Sequence, residues 1–174
     1  LGPGTLTFVG RRLTEAGPRH YEQDVDTFNL TASLRGEASL FGNPWDWDFN
    51  VVYSENNAEQ TFTGNVNALN VVQALGDVNA CTGSCVPLNI FGGAGSITSE
   101  MLGFIGFTQR DSSEQTLLDF SYNMTGDIAR LPAGPLSAAF GIENRHTDGR
   151  FDPDPIVAAG FSSDIPAQPA RGEI

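Results

Sequence analysis

WDWDFNVVY, residues 45–53, puts Trp45, Trp47, Phe49, Val51 and Tyr53 at alternate positions, with Asp46, Asp48 and Asn50 between the first of them. Successive side chains of an extended backbone point to opposite faces, so this is the pattern of a strand with one apolar and one polar face. The same period returns three times. Phe28, Leu30, Ala32 and Leu34 alternate with Asn29, Thr31, Ser33 and Arg35. Leu118, Phe120, Tyr122 and Met124 alternate with Asp119, Ser121, Asn123 and Thr125. Leu136, Ala138, Phe140 and Ile142 oppose Ser137, Gly141, Glu143 and Arg145. A fifth strand is expected over residues 5–13, less regular because Gly10 and Arg12 fall on its apolar face.

The connections differ in length. Phe41-Gly-Asn-Pro44 and Leu131-Pro-Ala-Gly-Pro135 are short and carry the residues that tight turns demand. The other connections are long, one over about 56–106 and one over about 150–174. A compact domain rarely carries so long an excursion without a function attached. Alternation alone favours a soluble β-sandwich over a membrane barrel. Three features favour the barrel. Trp45 and Trp47 lie on the apolar face beside a tight turn, as an interfacial girdle does. The opposite face carries acids and amides, as a wet lumen does, and short turns oppose long loops. The expected class is all-β: an antiparallel meander forming part of a transmembrane β-barrel, with short helices in its long loops.

Composition narrows the partners. The chain has 174 residues and a formal charge of -12, with nine Lys and Arg that form no large cluster, so no nucleic-acid contact is expected. Twenty glycines and ten prolines fit a turn-rich β protein. No run of about 18 apolar residues offers a transmembrane helix. No leader pattern opens the sequence, and residues 171–174 read as the start of a new segment, so a fragment of a longer chain is expected.

The long central connection holds CTGSCVPLNIFGGAGSITSEML, residues 81–102. Cys81 and Cys85 are spaced to close a small disulfide loop; free thiols or a metal site are the alternatives, and His20 and His146 are too distant in sequence to complete a zinc set. A disulfide is the expected form, with no metal and no cofactor. Residues 65–75 have apolar positions at helical spacing, notably Leu69, Val72 and Leu75, and stop at Gly76. A second helix is expected to start at Thr98, whose hydroxyl can cap it, with Glu100 in its first turn and Met101, Leu102 and Ile105 packing inward. Gly92, Gly93 and Gly95 permit backbone angles closed to other residues, but no Lys follows to make a phosphate loop.

Candidate chemistry is thin. Asp46 and Asp48 share a face, yet nothing nearby would drive their pKa values apart as acid–base catalysis needs. Asp152 and Asp154 are candidate calcium ligands, though the prolines alternating with them suggest a rigid turn. His20 and His146 read as loop or rim residues. No nucleophile-elbow pattern is visible, and Asn29-Leu-Thr and Asn123-Met-Thr lie inside strands, so no glycan is expected there. No enzyme is expected.

The segment CVPLNIFGGAGSITSEML resembles one found in a large branch of TonB-dependent outer-membrane receptors, and the likeness extends to both sides. Arg11-Arg-Leu-Thr-Glu-Ala-Gly-Pro-Arg19, Phe107-Thr-Gln-Arg-Asp-Ser-Ser-Glu-Gln-Thr-Leu117, Leu131-Pro-Ala-Gly-Pro135 and Phe151-Asp-Pro-Asp-Pro155 are similar to that family's segments in the same order. Ser99 departs from it, standing where the family often has proline. The resemblance implies that residues 1–174 are part of the transport barrel of such a receptor, without its plug. It also implies a bacterial outer-membrane location, contact with outer-membrane lipid and import of a small nutrient or glycan. Energy would come from an inner-membrane coupling protein, through an N-terminal region outside this sequence. Asp46, Asp48, Asn50, Asp119, Asn123, Glu143 and Arg145 would then face the lumen. The alternative is a β-sheet assembly module derived from a receptor fragment, self-associating through open strand edges.

Overall fold

A computed structural model describes residues 10–174. It contains one antiparallel sheet whose strands pair in chain order, β1 (His20–Leu40), β2 (Asn43–Val66), β3 (Gly106–Leu131), β4 (Gly134–Asp152) and β5 (Ala170–Glu173). The meander is therefore as expected, and the sheet is open. The four alternating stretches lie inside β1 to β4. Of the expected strand over residues 5–13, residues 5–9 lie outside the described residues and residues 10–13 are not strand. The fifth strand is β5 at the other end.

Each long strand overruns its alternating stretch. In β2 the segment 54–60, SENNAEQ, is polar except for the buried Ala58, so it has little period to read, and pairing with neighbouring strands keeps it extended. The central connection consequently shortens from 56–106 to residues 67–105. The second begins after Asp152 rather than near residue 150 and holds β5.

Two tight turns join the long strands. Phe41 and Gly42 both take positive φ, 52° and 77°, the geometry of the hairpin turn whose twist matches its strands. Pro132 and Ala133 connect β3 to β4. The β3–β4 ladder pairs Asp119 with Arg145, Asn123 with Gly141 and Met124 with Phe140, and shifts register between Asp127 and Ala129.

By contact density the chain divides into two units. The second comprises residues 24–59, 112–152 and 169–174. Its apolar face is organised by the two tryptophans. Trp45 lies across Gly126 of β3 and Trp47 across Gly36 of β1, so that a Cβ at either glycine would stand 2.5 and 2.8 Å from an indole. Phe41 and Phe140 flank Trp45 at 6.3 and 5.9 Å between ring centroids. Around this nucleus the face is open: Phe28, Leu30, Leu34, Phe140 and Ile142 are all more than half exposed.

The first unit comprises residues 1–23, 60–111 and 153–168, of which 10 onward are described. It contains α1 (Ala68–Ala74), α2 (Ser99–Ile105), α3 (Pro155–Ala158) and a small core of Ala74, Ile97, Ile105 and Val157. α2 begins as expected, with the Thr98 hydroxyl accepting the Met101 amide, and Ile105 is buried. The same hydroxyl, followed by its own amide, holds the Glu100 carboxyl below its usual range. α1 starts later than residue 65: Asn65 and Val66 end β2, and Asn67 caps the helix. Its expected apolar face is open as well, with Leu69, Val72 and Leu75 exposed and Ala74 buried instead.

Candidate functional site

Alternation sends one set of side chains from every long strand of the second unit to the polar face, where they meet across strands. Asp48 Oδ1 accepts from Asn50 Nδ2 at 2.7 Å and from Asn123 Nδ2 at 3.1 Å. Asn50 also reaches the Ser121 hydroxyl at 3.4 Å. Asn123 has room to lie there because its partner Gly141 has no Cβ, which would sit 2.5 Å from Asn123 Oδ1. Further along, Arg145 bonds Asp119 through Nε and Nη2, at 2.8 and 2.7 Å, and Glu143 through Nη2 at 2.9 Å. Ser137 donates to Asp127 at 2.6 Å.

Six of the seven residues singled out for this face thus fall into two networks, Asp48–Asn50–Asn123 and Asp119–Glu143–Arg145. Asp46 joins neither; it lines a cleft of about 630 Å3 with Arg35, Glu37, Asp48, Asn123 and Thr125. The cleft holds three carboxylates and one guanidinium beside the apolar Trp47, Met124, Ala139 and Phe140, a mixed polar and apolar lining. Its charged and amide groups can meet polar solutes.

In the first unit the sequence motifs serve loop architecture. Cys81 and Cys85 form the disulfide, with Cα atoms 5.2 Å apart. Arg11 Nη2 donates to the Gly93 carbonyl at 2.5 Å and to Glu15 Oε1 at 2.7 Å, while Glu15 Oε1 accepts the Gly95 amide at 2.7 Å. The Arg-Arg segment and the glycine loop are therefore two halves of one clasp. Gly93 and Gly95 take φ of +79° and +81°, and a Cβ on Gly92 would strike Ser96 at 2.4 Å. These bonds hold Glu15 below its usual pKa, with its own backbone amide the largest cause, then the Gly95 amide, the Thr14 hydroxyl and Arg11, against opposition from burial.

Asn65 is the residue that periodicity missed. It is fully buried, and its Nδ2 lies 2.8 Å from Gln109 Oε1, 3.0 Å from Ser162 Oγ and 2.8 Å from Asp164 Oδ2. Its Oδ1 accepts from the Val66 amide at 2.8 Å and the Ser163 hydroxyl at 2.9 Å. One amide thus ties β2 and β3 to the segment after α3. No spacing rule marks an asparagine as a hub; only tertiary proximity does.

Asp154 caps α3, accepting the amides of Ile156 at 2.9 Å and Arg110 at 3.2 Å, and its own amide donates to Asp111. Asp152 pairs with Arg150. Both carboxylates are committed within the fold, in keeping with a rigid turn. The two histidines lie in strands rather than loops: His20 opens β1, and His146 lies within β4 beside Asp148 and Glu173.

Comparisons with protein-family models, with curated proteins and with solved structures return no match.

Proposed function

We propose that this chain is one arc of an outer-membrane transport barrel of the TonB-dependent receptor kind, and that it acts without enzymatic chemistry. The observation that carries the reading is a single sheet layer with Phe28, Leu30, Leu34, Phe140 and Ile142 exposed on one face and bonded acids and amides on the other. A lone sheet in water needs a second layer over its apolar face. Lipid supplies that layer. The alternating stretches are also near the length that crosses a hydrocarbon core, about 9–11 residues per tilted strand, which WDWDFNVVY matches. A closed membrane barrel takes at least about eight strands, so these five form part of its wall. Asp46, Asp48, Asn50, Asp119, Asn123, Glu143 and Arg145 then line the lumen. The clasped, disulfide-bearing loop belongs to the outer surface, where a small nutrient or glycan first arrives. Coupling to the inner membrane falls to a region outside this chain.

The open sheet supports a second reading. β1 and β5 each have one unpaired edge among the described residues, and such edges template pairing between copies. Fractionation separates the two. The transport reading predicts that the protein stays with membranes after an alkaline wash and leaves them only in detergent. A water-soluble oligomer whose size rises with concentration would replace it with the assembly reading.

A further inference from the structure

β4 and β5 bring a histidine and two carboxylates to one point on their shared face. His146 and Asp148 are two apart in β4 and so project together, and the ladder places Glu173 directly opposite Asp148. Their pairing is fixed by the backbone: Thr147 donates to the Ile174 carbonyl at 2.8 Å, and Ile174 returns the bond at 2.9 Å. His146 Nε2 lies 3.0 Å from Asp148 Oδ2 and 3.6 Å from Glu173 Oε1, and all three donor atoms fall within 4.8 Å of one another.

We propose that His146, Asp148 and Glu173 form a surface site for a divalent transition-metal ion of the zinc type. An ion with bonds of about 2.0–2.1 Å to imidazole nitrogen and carboxylate oxygen, arranged tetrahedrally, needs neighbouring donors about 3.3–3.4 Å apart. The two separations from Nε2 bracket that value, and the two carboxylates lie within 4.8 Å of each other, so rotation of exposed side chains brings all three donors to the ion. Two carboxylates balance its charge, and water completes the coordination. His146 ligates as the neutral imidazole through a bare Nε2, with its single N–H on Nδ1. The donor set also selects the ion. Calcium takes six to eight oxygens, whereas an imidazole with two carboxylates suits zinc and its neighbours. The nearby cations do not fill the place: Arg150 is engaged by Asp152, and Arg171 stands opposite Arg150, one step further along the same face. The site does not depend on the transport reading, and an occupied site would fasten β5 to β4, whose pairing spans only four residue pairs.

The test is a titration of the metal-stripped, full-length protein with Zn2+ alone, followed by heat release, with Co2+ as a visible-absorption probe. One saturating equivalent is expected, weakened roughly tenfold or more by His146→Ala and by Glu173→Gln, unchanged in Glu22→Gln, and not reproduced by Ca2+. Because these side chains are exposed, the variants fold, and far-ultraviolet circular dichroism checks that they do. Absence of saturable binding, binding unmoved by both ligand variants, or equal binding of Ca2+ would overturn the proposal.

Discussion

Gly126 lacks a side chain at the place that the Trp45 indole occupies, 2.5 Å from where its Cβ would be. Gly126→Ala must therefore displace the most buried aromatic of the second unit, a clash of the overpacking kind that costs about 1–3 kcal/mol. Thermal unfolding in detergent is expected to drop accordingly, whereas Gly149→Ala, with open space around its Cβ, should change it little. Glu15 makes a second residue-scale prediction. Its folded pKa is depressed, so its contribution is complete above the ordinary glutamate value of about 4.3 and is lost as pH falls through the lower folded value. Protection of the Gly95 amide, which Glu15 accepts, measured relative to the intrinsic exchange rate, should persist at neutral pH and fall once acid takes the carboxyl through its depressed pKa. In Glu15→Gln the acid-dependent step should vanish. An unchanged profile in that variant would remove Glu15 from the clasp.

At the scale of elements, period two located β1 to β4 because each carries a stretch with one apolar face. It stops short of their ends because segments such as 54–60 carry a single small apolar residue, Ala58, too little for a readable period. The Thr98 cap was legible since capping is local chemistry, and so was the small disulfide loop. The first helix starts later than expected because β2 continues to Val66, held by Asn65, whose polar contacts reach residues up to 99 positions away. For the same reason the polar networks were readable only in part. Strand parity puts Asp119 and Arg145 on one face, but their pairing needs the β3–β4 register. The disulfide gives this scale its prediction. Closing so short a loop is worth about 2 kcal/mol in the chain-entropy account. Cys81→Ser with Cys85→Ser should speed proteolysis and amide exchange within residues 77–97 and leave the β3–β4 ladder protected. Loss of protection throughout the sheet would mean that the loop and the strands unfold as one.

For the whole molecule, the deciding feature is what covers the apolar face. Five large side chains stand more than half open, and burying what remains exposed is worth roughly 4–9 kcal/mol, comparable with the about 5–15 kcal/mol by which a folded domain is stable, so an apolar cover over this face weighs heavily in the balance. A net charge of -12 makes close packing of copies costly, and in the proposed transport reading lipid is what meets the apolar face. Both tryptophans of the chain, Trp45 and Trp47, belong to that apolar face, so their native fluorescence reports on it without labelling. The most direct measurement is quenching of this emission by brominated lipid after reconstitution into bilayers. Strong quenching by bromine on the acyl chains, with little by aqueous iodide, is the predicted result. Emission untouched by brominated lipid would contradict the account and leave the apolar face to be covered by protein.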